Sequence, residues 1–409
     1  MYVRMEQCGT SRRPAGLPRP YDTGDPTLLP KRIHELILAG AAALTLLAAG
    51  ATSAQAAPPA LRPGQLLTAK PHTLGRIPGA GRTLLISYVS TSFTNQPTVA
   101  YGQVTLPDAP PPPGGYPVVS WAHGTTGFAP QCSPSLMGPG SATGLLAELV
   151  RRGYAVLRTD YEGWGANGER PLLHGPSNAN AVVDIVAAAH GLGEKLADDW
   201  LVAGHSEGGG AALWVASREP RPPYRLRGAL AFAPTGPGVM TFMDGAADGG
   251  FVHVAAQPFV SLTVLAAHAV DPSISLDQLV RPDFRPQVDA ARQACLGALR
   301  EQPQLRPGQY LSRGREYDKV AVFVNAQDPS RLAMRVPVLV MQGEKDETSV
   351  TPPTTRAMIA SLCQNAKAPV AYREYAGATH GTVLPAAMDD ALAFAQAARE
   401  GRAEGQACR

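Results

Sequence analysis

The run Gly204-His205-Ser206-Glu207-Gly208 directly follows the apolar stretch Trp200-Leu201-Val202-Ala203. No other feature limits the available folds as much. It has the form G-x-S-x-G, a tight strand-to-helix turn that lifts a serine hydroxyl above a sheet edge. Side chains at 204 and 208 would collide with the flanking strand and helix, so both positions call for glycine. The small residues Gly208 to Ala216 read as a helix packed closely on that strand. In a chain with 42 glycines the pattern alone is weak, and the strand before it and helix after it give it meaning.

Other apolar runs repeat the arrangement. Thr83 to Val89 and Val99 to Leu106 read as two early strands around a turn at Asn95-Gln96-Pro97. Pro117 to Ala122, Tyr154 to Arg158, Leu226 to Phe232, Val336 to Met341 and Val370 to Tyr375 are further strands. Helices are expected over 143–151, 179–196 and 386–399. This alternation predicts a mostly parallel sheet with helices on both faces. It breaks between 235 and 334, where the stretch Phe259 to Val270 and a helix over Pro286 to Arg300 suggest an inserted, mainly helical cap. The expected division is an extended arm at 57–81, a first core part at 82–234, the cap at 235–334 and a second core part at 335–409. Net charge is +3 with no basic run after the first forty residues, so no nucleic-acid partner is expected.

Residues 1–56 read as an N-terminal extension and a cleavable signal peptide. Lys31-Arg32 is the positive region, Leu36 to Ala49 the apolar core and Ala54-Gln55-Ala56 the cleavage site. Residues 1–30 carry no period and fit a start site placed too far upstream. Cleavage near Ala56 removes Cys8 and leaves Cys132, Cys295, Cys363 and Cys408. An even count in a secreted or periplasmic chain suggests two disulfides with three connectivities open. Cys363 ends a helix and Cys408 follows the last one, so the expected pairs are Cys363–Cys408 and, tying cap to core, Cys132–Cys295.

A serine nucleophile needs a base, and the base needs an orienting acid. After this kind of turn the chain order is Ser, then acid, then His. The acids Glu344, Asp346 and Glu347 lie in the loop beyond Met341, at the carboxyl end of a strand. His380, in Gly377-Ala378-Thr379-His380-Gly381, is the only histidine downstream. His205 is expected to point into the packing of the turn. The oxyanion donors expected are the Glu207 N–H and, from the loop His123 to Gly127, the Thr125 N–H with Gly124 next. His123 is expected to brace that loop. No Walker lysine or dinucleotide motif follows the early strands, and no metal or cofactor is expected. Asp160-Tyr161 lines an acyl pocket or holds a turn, with the turn favoured.

Pro117 to Ser135, Thr159 to Gly163, Gly204 to Gly210, the G-x-x-D segment at 343–346 and the T-H-G segment at 379–381 resemble the α/β-hydrolase superfamily over about residues 82–400. More narrowly they resemble the secretory lipases, the group of Candida antarctica lipase A. The resemblance implies an α/β-hydrolase fold with a cap after the strand that follows the serine. It also implies cleavage of carboxylic esters without a cofactor, and the G-x-x-D spacing favours Asp346 as the acid. The partner expected is a small-molecule or lipid ester, with transient contact at a lipid interface. Gly124, Tyr161 and, in the cap, Phe259 and Leu262 are the substrate-binding candidates. Glu207 departs from the Gly or Gln that the family often has after the serine. Two other readings stay open. One is an exported peptidase of the same fold, for which Glu207 or the cap would supply an acid to hold a substrate amine. The other is an inactive binding module.

Overall fold

Nine strands form one sheet, in the order β1-β2-β3-β5-β4-β6-β7-β8-β9. They are β1 (Leu66–Pro71), β2 (Arg82–Thr91), β3 (Pro97–Leu106), β4 (Tyr116–Ala122), β5 (Ala155–Thr159), β6 (Leu196–His205), β7 (Arg225–Phe232), β8 (Val338–Gly343) and β9 (Val370–Tyr375). In this computed structural model residues 60–164, 170–250, 252–348, 350–404 and 408 are described. The expected signal peptide and its expected cleavage point near Ala56 lie outside the described residues. The first three strands and the β3–β5 pair are antiparallel, and every later pair is parallel.

The middle strands are apolar throughout because both of their faces are covered. Every residue of β4, β5 and β8 is buried. Val118 and Ala122 of β4 join one apolar cluster with helices α2 (Gly175–His190), α3 (Glu207–Ala216) and α10 (Pro352–Asn365). Val119 and Trp121 point the other way, into a second cluster with α1 (Thr143–Arg151), the short α11 (Val383–Ala386) and α12 (Met388–Arg399).

Three expectations need adjusting. The arm at 57–81 contains the strand β1, five of whose six residues are exposed. An edge strand without a buried face lacks the alternation by which strands are read. The helix expected at 179–196 runs from Gly175 to His190. His174 starts it, its Nδ1 accepting from Ser177 N at 3.1 Å, and β6 takes over at Leu196. The helix expected over Pro286 to Arg300 is broken.

Between β7 and β8 the chain makes α4 (Gly238–Ala247), α5 (Gln257–Val270), α6 (Leu276–Leu279), α7 (Arg285–Ala291), α8 (Leu296–Leu299) and α9 (Arg315–Ala326). These helices bury a third apolar cluster that includes Leu262, Phe284, Tyr310 and Tyr317. The break between α7 and α8 falls where Cys295 is drawn to the core. Cys295 is disulfide-bonded to Cys132, with 5.4 Å between the Cα atoms, and it bridges Gly127. Leu296 N also donates to Thr126 O at 2.8 Å. The second disulfide joins Cys363 of α10 to Cys408.

Candidate active site

Ser206 is the single residue between β6 and α3, at φ 59 and ψ −120. A non-glycine residue held there costs roughly 1–3 kcal/mol, so the surroundings must enforce it. Ser206 N donates to Phe232 O at 2.9 Å, and Ser206 O accepts from Gly210 N and Thr235 N, both at 3.0 Å. The turn also leaves no room at its flanking glycines. A Cβ on Gly204 would stand 2.1 Å from Gly208 O, and one on Gly208 would stand 1.9 Å from Ala122 O.

His380 follows β9 and meets the acid loop that follows β8. Its Nδ1 lies 2.6 Å from Asp346 Oδ2. A carboxylate only accepts, so Nδ1 carries the hydrogen, and whenever the ring is neutral its lone pair is on Nε2. Asp346 is buried. Its Oδ1 accepts from Thr348 N at 3.1 Å and Thr348 Oγ1 at 2.6 Å, and Gln342 Nε2 donates to Oδ2 at 3.2 Å. Burial pushes the Asp346 carboxyl up. The His380 hydrogen bond, the charge of that ring and the Thr348 donors outweigh it, and hold the group below the usual carboxylate range. Neither neighbouring acid takes this place. Glu344 accepts from Gly377 N at 2.8 Å, and the exposed Glu347 lies 3.6 Å from His253 Nε2.

His205 does more than fill the turn. Its Nε2 donates to His380 O at 2.7 Å, and the two rings lie 4.6 Å apart. Burial and the nearby His380 charge lower its pKa to about 3, so it stays a neutral donor. It braces the backbone that carries His380.

The loop after β4 leaves the sheet beside the serine because Ala122 pairs with Gly204. A Cβ on Gly124 would stand 3.4 Å from Ser206 Cβ, so the loop approaches to contact distance. His123 stacks on Tyr161 at 4.1 Å, and its Nδ1 donates to Gly124 O at 2.7 Å. Burial lowers its pKa to about 3. Tyr161 is 1% exposed and donates to His123 O at 2.9 Å. It therefore supports the loop from behind and does not line the cavity, contrary to its candidacy as a substrate contact. Asp160 holds a turn, accepting from Ser133 Oγ and Ser135 N at 2.7 Å.

Glu207 is 2% exposed, and its carboxylate is fully engaged. Oε2 accepts from Thr125 Oγ1 at 2.8 Å, while Oε1 accepts from Leu173 N at 2.9 Å and Asn178 Nδ2 at 3.0 Å. Its carboxylate is not an anchor for a substrate amine, because it is buried and spent on these three donors.

That cavity has a volume of about 310 Å³. Ser206, His380, His205, Gly124 and Thr125 line it, and Trp121, Met137, Phe259 and Leu296 give it apolar walls. Leu262 does not line it: it is fully buried inside the third apolar cluster. Two cations, Arg158 and Arg300, also line the cavity, and no described lining residue is Asp or Glu. Arg158 donates to the carbonyls of Gly75, Pro134 and Met137. Burial lowers its pKa to about 10, which leaves it charged at neutral pH.

The site residues that sequence reasoning missed are Thr348, Gln342 and Arg300, together with the bracing role of His205. Thr348 had a readable signal, since an Asp accepting from the residue two positions on is a common local turn. Arg300 had none.

A family model described as serine aminopeptidase, S33, matches residues 140–384. The rice cell wall degrading esterase LipA from Xanthomonas oryzae, in a ligand-bound form, superposes with a TM-score of 0.66. It shares 20% identity, over 83% of this chain and 100% of that one. Candida antarctica lipase A in its closed state superposes with a TM-score of 0.68, at 18% identity over 85% of each chain. At these identities the likeness is one of fold. No curated protein matches the sequence.

Proposed function

This chain belongs to the α/β-hydrolase family described as serine aminopeptidase, S33, and on that footing we propose that it is an exported serine hydrolase of carboxylic esters. One observation carries the reading: His380 Nδ1 donates to the buried Asp346 at 2.6 Å, and the ring lines the same cavity as Ser206. Ser206 Oγ attacks the ester carbonyl as its proton passes to His380 Nε2, and Asp346 holds the imidazole in the needed tautomer. The N–H groups of Glu207 and Thr125 receive the developing oxyanion. The bond to the alcohol breaks, and the alcohol leaves with the proton. Water, deprotonated by the same nitrogen, then cleaves the acyl–serine bond and frees the acid. No metal or cofactor enters these steps.

An aminopeptidase must hold a charged amine, which calls for an acid in the cavity. The described lining has two arginines and no carboxylate, and this favours a neutral or anionic ester over an amino-terminal peptide. The segment 235–334 is the cap that sets substrate preference, through Phe259 and the stretch from Cys295 to Arg300. The two disulfides and the leader pattern favour an oxidising compartment outside the cytoplasm.

Parallel assays with 4-nitrophenyl butyrate and with amino-acid anilides test the proposal, alongside labelling by a fluorophosphonate. The expected result is ester turnover and labelling that both vanish in Ser206→Ala, with unchanged thermal unfolding. Turnover of the anilides alone would establish the peptidase reading instead. A folded chain that neither labels nor turns over substrate would be a binding module.

A further inference from the structure

We propose that Arg300 selects esters that carry a carboxylate, by pairing with that carboxylate while the ester group sits at Ser206. The inference rests on the ester-hydrolase reading and adds the substrate class.

Arg300 lies directly after α8, in the cap segment fastened to the oxyanion loop. The Cys132–Cys295 disulfide, the Gly127–Cys295 bridge and the bond from Leu296 N to Thr126 O anchor that segment. Arg300 N itself donates to Leu296 O at 3.1 Å and to Gly297 O at 3.2 Å. The position of its stem is therefore set by the same loop that approaches Ser206. The backbone that carries Arg300 is thus placed in advance, and its exposed side chain is left to turn toward an occupant.

Among the described residues its charge lacks a counterpart. Among the described residues no carboxylate lies within ion-pair distance of Arg300, whereas Arg221, Arg225, Arg285, Arg313 and Arg335 each have one. Desolvation alone moves its pKa, downward. The second cavity cation, Arg158, spends its donors on backbone carbonyls and adds positive potential without offering a fork. The walls of the same cavity also include Trp121, Met137, Phe259 and Leu296. An occupant suited to this lining has an ester carbonyl, an apolar spacer and a terminal anion. A guanidinium binds a carboxylate through two parallel hydrogen bonds, which an ammonium does not reproduce.

The test compares two matched pairs of substrates in the full chain. Mono-(4-nitrophenyl) glutarate against 4-nitrophenyl butyrate puts the carboxylate on the acyl side. 4-Butyryloxybenzoate against its methyl ester puts it on the alcohol side. The quantity read is the ratio of kcat/KM, anionic over neutral. In Arg300→Gln that ratio is expected to fall about tenfold or more in at least one pair, mainly through KM. Arg300→Lys should recover part of it. The pair that responds identifies the arm of the substrate that meets Arg300. A ratio unchanged in both pairs, with neutral esters still cleaved by the wild type, overturns the role of Arg300 and leaves the esterase reading standing. If the wild type cleaves none of the four esters and Ser206 takes no label, both fall.

Discussion

Thr125 and Glu207 are 82 residues apart in sequence, yet Thr125 Oγ1 donates to Glu207 Oε2 at 2.8 Å. These are the two residues whose backbone N–H groups are proposed to hold the oxyanion. The side chain of one thus fixes the position of the other. Because Leu173 N and Asn178 Nδ2 occupy the second oxygen, the carboxylate cannot swing away to follow a loose loop. The glutamate after the serine is in this way explained without any contact to substrate.

Thr125→Val tests that clamp. Valine keeps the shape and removes the hydroxyl, which leaves a buried carboxylate oxygen without its donor. Stability should drop by about 1–3 kcal/mol. On 4-nitrophenyl butyrate kcat should fall about tenfold or more with little change in KM, as expected for an interaction that matters most in the transition state. Thr125→Ser should restore most of both. An equal loss in the serine variant would show that the methyl group matters and the hydrogen bond does not.

Asp346→Asn should lower kcat by roughly 10⁴, because an amide can present its N–H to the ring and stabilise the wrong tautomer. Glu344→Gln and Glu347→Gln should each stay within about threefold of the wild type, since neither touches His380. Steady-state kinetics on one neutral ester distinguishes the three variants. A crippled Glu344→Gln enzyme would move the orienting role to that residue.

His174 gives a pH signature. Burial lowers its pKa from 6.5 to about 4. As pH falls below 6.5 the unfolded chain takes up a proton that the folded ring refuses, so stability present above 6.5 is lost down to about 4. Asparagine at 174 still caps α2 but does not titrate. The stability of the wild type relative to His174→Asn should therefore decline steadily between pH 7 and pH 4. Urea midpoints for both proteins across that range measure it. A constant difference would mean that the ring titrates alike in the folded and unfolded states.

The two disulfides should separate activity from stability. Cys132–Cys295 anchors the segment that lines the cavity, whereas neither Cys363 nor Cys408 lines it, although the loop they close contains His380. Replacing either pair by serines should cost about 2–4 kcal/mol. Only loss of Cys132–Cys295 should also raise KM, because Cys295, Leu296 and Arg300 would no longer be held against the oxyanion loop. Unfolding midpoints and KM measured on both double variants check this. A KM that rises equally in both would remove the cap-anchoring role.

The central strands were readable because burial on both faces leaves them unbroken apolar runs, and β4, β5 and β8 are buried along their whole length. The turn at Ser206 was readable from its local pattern, since Gly204 answers to Gly208 four residues on, although Gly208 answers to the distant Ala122. Chain order pointed to His380, and the family spacing pointed to Asp346, which touches the ring that neither flanking glutamate reaches. The rest depended on what the folded chain brings close from far away in sequence. β1 has almost no buried residue to give it a period. The cap helix breaks where Cys295 is pulled 163 residues back to Cys132. Whether Tyr161 and Leu262 face a substrate or a core, where the Glu207 carboxylate turns, and that Arg300 stands in the cavity are all matters of tertiary contact. Local sequence determined which segments became strands, turns and helices, because those follow from burial pattern and backbone sterics. Only the packing of distant segments decided which side chains met at the serine, because a side chain's direction is set by what occupies the space beside it.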